Sequence, residues 1–216
     1  MPRSMTIDIV SDVTCPWCAI GLRGLEEGLA RASDAVDAQV RFHPFELNPD
    51  MPPEGRNVVE HLGERMGVSP DQLAANRKTL KAKAAELDFA MATTAESRIY
   101  NTFDAHRLLL WAQPSGRQQA LKRALFEAYF SEGENLADAD VLVGAAEKAG
   151  LDGAEARTVL ASDRYADEVR QEESLWQQRG IHAVPAFIFD GKYLISGAQP
   201  PETFEAVVRK IAEGAG

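Results

Sequence analysis

Apolar positions in this chain follow two different periods. Ile7, Ile9 and Val10 form a short β-branched run within Thr6 to Ser11, bounded by a turn at Asp12, and predict a buried strand. From Pro16 to about Arg31 the spacing changes to three and four, with Cys18, Leu22, Leu25 and Leu29 on one stripe of a core-facing helix. Gly21, Gly24 and Gly28 recur on one face of that helix, each costing up to about 1 kcal/mol against alanine. Such a face permits a close backbone approach or a bend, or else marks an ordinary weak helix. Gln39 to Phe45 returns to alternation, with Val40 and Phe42 on one side, and is ended by Pro44 and the proline-rich stretch 48–53.

Beyond about Asn57 the pattern is helical as far as Ser162, with no alternating segment of strand length. Ser69-Pro70 is expected to cap a helix through about Leu87, and Asn101 one that carries Phe103, His106 and Leu110. Another carries Leu121, Leu125 and Tyr129, and Asp138 and Asp152 cap two more, the first of them closed by Gly150. The run Leu108 to Trp111 reads as core packing. A helix with Tyr165, Val169 and Trp176 then stops at Gly180. Ala183 to Phe189 and Lys192 to Ser196 read as two strands joined by an Asp190-Gly191 hairpin turn, before Pro201 opens a last helix through Phe204, Val208 and Ile211.

Strand, helix, strand makes a parallel pair with a right-handed crossover. With the helical block removed, the order of elements is that of a thioredoxin fold. The expected class is therefore α/β, a thioredoxin fold with an inserted all-helical domain. Residues 1–56 and 163–216 form a discontinuous thioredoxin-like domain, and 57–162 the insertion.

Composition narrows the partners. The chain has 216 residues, 45% hydrophobic and 26% charged, with a net charge of −10, which fits an ample core and repels phosphate backbones and anionic membranes. No nucleic acid or membrane is expected as a partner. The first apolar stretch is interrupted by Asp8 and is too short for a secretory h-region, and no other run is long enough to span a bilayer, so a cytoplasmic protein is expected.

The candidate chemistry lies where the first strand meets the first helix, at Cys15-Pro16-Trp17-Cys18, which holds the chain's two cysteines. Proline is favoured at the first helical position, so Pro16 there makes Cys15 the N-cap. A cap side chain is expected to accept from the N–H groups of Trp17 and Cys18 and to face the positive end of the helix dipole. Helix N-termini and Cys-X-X-Cys settings lower a thiol pKa from about 8.5 into roughly the 3.5 to 7.5 range. Cys15 is then the attacking sulfur. Cys18 sits on the same face, within reach of a mixed disulfide on Cys15, and begins the apolar stripe, so it is the sheltered, resolving thiol. A structural zinc site needs four ligands, whereas there is no second cysteine pair and His43, His61, His106 and His182 are scattered; no metal is expected. Two inert buried thiols are the other alternative. Pro185, in Val184-Pro185-Ala186-Phe187, starts a strand at the place where a thioredoxin fold sets a cis proline beside the redox helix. A cis bond there leaves the Val184 backbone free to pair with an extended substrate segment.

Taken jointly these stretches resemble the DsbA family of thiol-disulfide oxidoreductases, in particular its FrnE-like branch from bacterial cytoplasm. The resemblance covers nearly the whole chain. It is carried by Cys15 to Cys18 with Ile20-Gly21, Phe45 to Pro49, Asn101 with Ala105 to Leu108, Leu125-Phe126 with Ala128 to Phe130, Val184-Pro185, and Ser196 to Gln199. It implies disulfide oxidation, reduction or isomerisation by Cys15 and Cys18, with Pro16, Trp17, Val184 and Pro185 shaping the substrate groove. Secreted DsbA proteins carry a signal peptide and a histidine where this chain has Trp17, which supplies no positive charge, so a less acidic Cys15 is expected. Relatives with a second cysteine pair near the C-terminus have no counterpart here.

The expected function is a cytoplasmic dithiol-disulfide oxidoreductase or isomerase acting on protein or small-molecule disulfides. Reduction or isomerisation fits a reducing cytosol better than net oxidation. No bound cofactor is required, glutathione or another thiol being the electron partner, and a monomer suffices. Two other functions stay open. One is a glutathione-using enzyme like the kappa-class transferases and hydroxychromene carboxylate isomerases, which place a serine where Cys15 stands. The other is a chaperone-like binding module whose patch is Trp17 and the apolar residues around Val184. Asn101 and His106 either face the redox site or simply cap and pack. Asp12 is expected to finish the strand turn, and for Glu46 and Gln199 only the resemblance speaks.

Overall fold

Arg3–Ser11 (β1) is the strand around which the molecule is layered in the computed structural model, which describes residues 1–214. A turn leads into Pro16–Arg31 (α1), and Val36–Pro44 (β2) returns parallel to β1, with Ile9 opposite Phe42. Both strands start earlier than the hydrophobic pattern predicts. Arg3 N–H bonds to Ala35 O at 2.8 Å and Arg3 pairs with Val36, so the ladder takes in the exposed Arg3, Ser4 and Asp37 together with Met5 and Val36, two buried apolar residues that the expected bounds left out. The open edge of β2 is met by Gln118, which accepts from Phe42 N–H and donates to Phe42 O, both at 2.9 Å.

The segment after β2 is mainly helical: Val58–Met66 (α2), Pro70–Ala85 (α3), Phe103–Ala112 (α4), Gln118–Phe126 (α5), Ala139–Lys148 (α6) and Gly153–Leu160 (α7). Contrary to expectation it also holds a ribbon of two-residue strands, Arg56–Asn57 (β3) against Arg98–Ile99 (β4), too short to show a period. Ser69 closes a full capping box with Gln72, and Asp138 and Asp152 accept the N–H groups expected of caps. Past α5 the chain takes one π-helical turn, Glu127–Ser131.

Ala166–Gln178 (α8), the hairpin Ala186–Phe189 (β5) and Tyr193–Ser196 (β6), and Pro201–Ala212 (α9) complete the chain. The sheet order is β2-β1-β5-β6, with β5 antiparallel to β1. One face buries Ile7, Ile9, Phe187 and Phe189 against α1 and α9, where the Phe187 and Phe204 rings meet edge to face at 4.9 Å. The other buries Val10, Ala186 and Ile188 under Trp176 of α8. The glycines of α1 serve a close approach: a Cβ on Gly24 would stand 2.6 Å from Gln199 O, and one on Gly28 2.7 Å from Pro201 O. They let α1 lie directly on the start of α9.

His43 pins α8 to the sheet. Its Nε2 is 2.9 Å from Asp8 Oδ1 and its Nδ1 2.6 Å from Glu172 Oε2, with the ring 4.7 Å from that of Trp176. Burial pushes the imidazole down, but the two carboxylates outweigh it and hold its pKa above the ordinary value. A raised folded pKa gives stability that is complete below the unfolded value of about 6.5 and fades as pH rises through the folded one. His43→Gln should therefore cost about 1.5–3 kcal/mol at pH 6, the scale of hydrogen bonds to charged groups, and distinctly less at pH 9. Urea denaturation at both pH values checks this, and a cost independent of pH would refute it.

Candidate active site

The last residue of β1, Ser11, hands the chain to a buried turn, Asp12-Val13-Thr14, that sets Cys15 at the mouth of α1. Cys15 is the N-cap, with φ −86° and ψ 113°, and Pro16 occupies the first turn. One expectation is corrected here: the Cys15 sulfur accepts no N–H from the helix. The cap is closed instead by the Cys15 carbonyl, which takes Cys18 N–H at 3.1 Å and Ala19 N–H at 3.3 Å. The side chain meets the loop before β5, where Sγ lies 4.0 Å from Val184 O. The Val184–Pro185 bond is cis, and Pro185 O accepts Gly197 N–H at 2.8 Å, fixing this loop to the end of β6.

Both cysteines are free thiols. They differ in surroundings. Both are buried, at 4% and 2% exposure, but Cys15 lines a groove of about 550 Å³ together with Pro16, Trp17 and Val184, whereas Cys18 is not part of its lining. Burial, followed by the hydrogen bond with Cys15, pushes the Cys18 thiol well above its ordinary pKa. Trp17 stands at the rim, 40% exposed. The opposite wall comes from the helical segment, with Leu62, Leu73, Leu80, Met91, Tyr129 and Phe130, and is mostly apolar. It was not legible in the sequence, because only the packing of α2, α3, the loop after α3 and the π-helical turn brings those side chains to the redox turn.

Beneath the cysteines lies a buried polar cluster. Asp12, fully buried, accepts Leu47 N–H at 2.8 Å on Oδ2 and stands 3.4 Å from His106 Nε2 through Oδ1, without the alignment of a hydrogen bond. Burial pushes Asp12 up, but His106, the Leu47 N–H and Lys122 together outweigh it and hold the carboxyl below its usual pKa. Lys122 of α5 is 1% exposed, and burial lowers its ammonium to about 8. Glu46 is pushed up to about 7, chiefly by burial and then by Glu173, against the pull of Arg170. Its backbone N–H bonds to Glu173 Oε1 at 3.0 Å and its carboxylate to Arg170, whose guanidinium lies 4.1 Å from the centre of the Phe103 ring.

Asp12 is thus more than the end of a turn, and His106 faces the redox turn through it. Asn101 stays outside the groove: it accepts Phe103 N–H at 2.9 Å and donates to Pro49 O at 3.0 Å, one residue ahead of Thr102, which occupies the cap position. The Gln199 carbonyl packs against Gly24, and its side-chain amide reaches Ser196 O at 3.4 Å. Lys122 was missed, although a signal existed. Gln118, Leu121, Lys122 and Leu125 fall on one helical face, so a lysine sat in an apolar stripe. Among the described residues no three His, Cys, Asp or Glu side chains come together as a metal site, and no helix is long and apolar enough to cross a membrane.

A parallel β-α-β unit, an antiparallel hairpin and a cis proline opposite a cysteine at a helix N-terminus define a thioredoxin-type protein. Residues 6–209 match the model of the DSBA-like thioredoxin domain, and the chain belongs to that family. A crystal structure of a probable DsbA oxidoreductase from Streptomyces coelicolor is 37% identical, with a TM-score of 0.90 over 98% of this chain and 91% of that one. The uncharacterized protein YwbO of Bacillus subtilis is 29% identical over 203 residues, 94% of each chain. The cytosolic disulfide reductase DsbM of Pseudomonas aeruginosa shares the fold, at 20% identity and a TM-score of 0.66 over 97% of this chain and all of its own. It has also been solved with glutathione.

Proposed function

We propose that this chain is a cytoplasmic dithiol-disulfide oxidoreductase, with Cys15 attacking and Cys18 resolving. The observation that carries it is the asymmetry of the pair: Cys15 opens on the groove opposite Val184-Pro185, and Cys18 is enclosed directly behind it. Cys15, as thiolate, attacks one sulfur of a substrate disulfide; the new bond forms as the substrate S–S bond breaks, and the departing sulfur takes a proton from solvent. Cys18 then gives up its proton and attacks Cys15 Sγ. The Cys15–Cys18 bond forms, the second substrate sulfur leaves as a thiol, and the protein holds the two-electron oxidation. Glutathione or another thiol restores the dithiol, and a substrate thiol that attacks the mixed disulfide before Cys18 does gives isomerisation.

Pro16, Trp17, Val184 and Pro185 are the substrate-binding residues in this scheme, the Val184 backbone pairing with an extended segment as an added strand. The chain divides into a thioredoxin-like domain, 1–56 and 163–216, and an inserted domain, 57–162, whose helices wall the groove. A cytosolic setting and a reducing direction are supported by DsbM, which has the same fold and is a cytosolic disulfide reductase. Equilibration in graded mixtures of reduced and oxidised glutathione, followed by a mass-shifting alkylating reagent on intact protein, tests the proposal. Both thiols should disappear together at one midpoint without bound glutathione, and the absence of any Cys15–Cys18 disulfide across the series would remove it.

A further inference from the structure

We propose that Lys122 is a positioning residue for the resolving half of the exchange, its ammonium being the counter-ion that the Cys18 sulfur meets as it becomes a thiolate. This rests on the disulfide-exchange function proposed above. Lys122 lies on the face of α5 that packs inward, and among the described residues no group accepts a hydrogen bond from its Nζ. Aromatic faces are what it has instead, with Nζ 5.8 Å from the centre of the Phe42 ring and 5.1 Å from that of Phe126. A buried ammonium with no acceptor is unfavourable by more than two ring contacts return. Its neighbour Arg123 shows the ordinary alternative, a half-exposed cation bonded to Glu26 on the surface. The placement of Lys122 therefore needs a negative partner.

Charge near Lys122 comes from the turn and the first helix. Asp12 carries it at neutral pH, Cys15 and Cys18 add to it only as thiolates, and His106 from α4 stands against Asp12. Asp12 is already engaged by the Leu47 N–H and His106, so it balances the lysine's charge without giving it a hydrogen bond. The sulfurs are left. Burial makes the Cys18 thiolate scarce at neutral pH, and the charge of Lys122 works against that burial. In the resolving step the Cys18 S–H bond breaks, its electron pair forms the bond to Cys15 Sγ, and the Cys15–substrate bond breaks. The substrate sulfur departs with that pair and takes up the proton. Below about pH 8 Lys122 stays an ammonium through the step, and its role is to lower the cost of the transient charge.

A bis(nitrobenzoate) disulfide separates the two halves, because each leaving thiolate is coloured: the first release reports attack by Cys15, the second resolution by Cys18. Lys122→Met, a neutral side chain of similar shape, should slow the second release at least about tenfold at pH 7 and move its pH midpoint up by about one unit, the equivalent of that factor. The first release should fall less, and Lys122→Arg, which keeps the charge, should recover the second. Lys122→Gln takes the place of the Met variant if the latter does not fold. A second release that matches wild type at every pH, or that is slowed equally in the neutral and Arg variants, would overturn the assignment. A wild-type protein that gives no second release would instead remove the exchange function itself.

Discussion

Cys15→Ser should lower disulfide exchange by at least about 10³-fold, the scale of loss when a nucleophile is deleted, whereas Cys18→Ser should keep the attack and stop at the mixed disulfide. The difference follows from where the sulfurs stand. Cys15 Sγ borders the groove and faces Val184 O at 4.0 Å, so a substrate sulfur can reach it along the strand-pairing edge. Cys18 has no such opening, and its raised pKa leaves little thiolate to react from outside. Initial rates of protein-disulfide reduction measure the first variant. Intact mass after incubation with a disulfide measures the second, which should carry one covalent adduct. Adducts forming on Cys15→Ser as fast as on Cys18→Ser would reverse the roles of the two sulfurs.

Much of this arrangement was legible in the chain, for local reasons. Proline at the first turn and an unbroken apolar stripe set α1 at Pro16–Arg31, as expected. Asp190 and Gly191 both take positive φ, 51° and 65°, as turn residues of this type do, although the strands pair from Phe189 to Tyr193 and so leave Lys192 in the loop as well. What escaped was decided at a distance. The polar first residues of β1, Arg3 and Ser4, are strand because they pair with β2, the start of β2 was placed too late although Val36 is buried and apolar, and β3 and β4 are too short for any period. The expected sulfur cap failed because the cysteine side chain turned to the Val184 loop, a neighbour 169 residues away in sequence. Asp12 looked like a turn residue for the same reason: Leu47 reaches it from beyond β2, and His106 and Lys122 only once the helical segment has folded over the sheet.

That burial makes Asp12 the other substitution with a large expected effect. Were it only the end of a turn, Asp12→Ala would cost about 1 kcal/mol, as at a lost cap. In the folded chain its carboxylate accepts Leu47 N–H at 2.8 Å, stands 3.4 Å from both His106 Nε2 and the Thr14 hydroxyl, and supplies the negative charge beside Lys122. Alanine leaves a buried N–H, a buried imidazole and a buried ammonium without it, which should cost about 3–5 kcal/mol at pH 7, the scale for breaking a buried charge pair. Asp12→Asn keeps an acceptor for Leu47 but not the charge, and should fall between alanine and wild type. The sign with pH is fixed as well. A carboxyl held below its ordinary pKa stabilises the fold above the unfolded value of about 3.9, and that contribution is lost as pH falls through the folded one. Denaturant unfolding should thus show the Ala variant far less stable than wild type at pH 7 and the two converging in acid. A gap near 1 kcal/mol, unchanged by pH, would return Asp12 to the role of a turn residue.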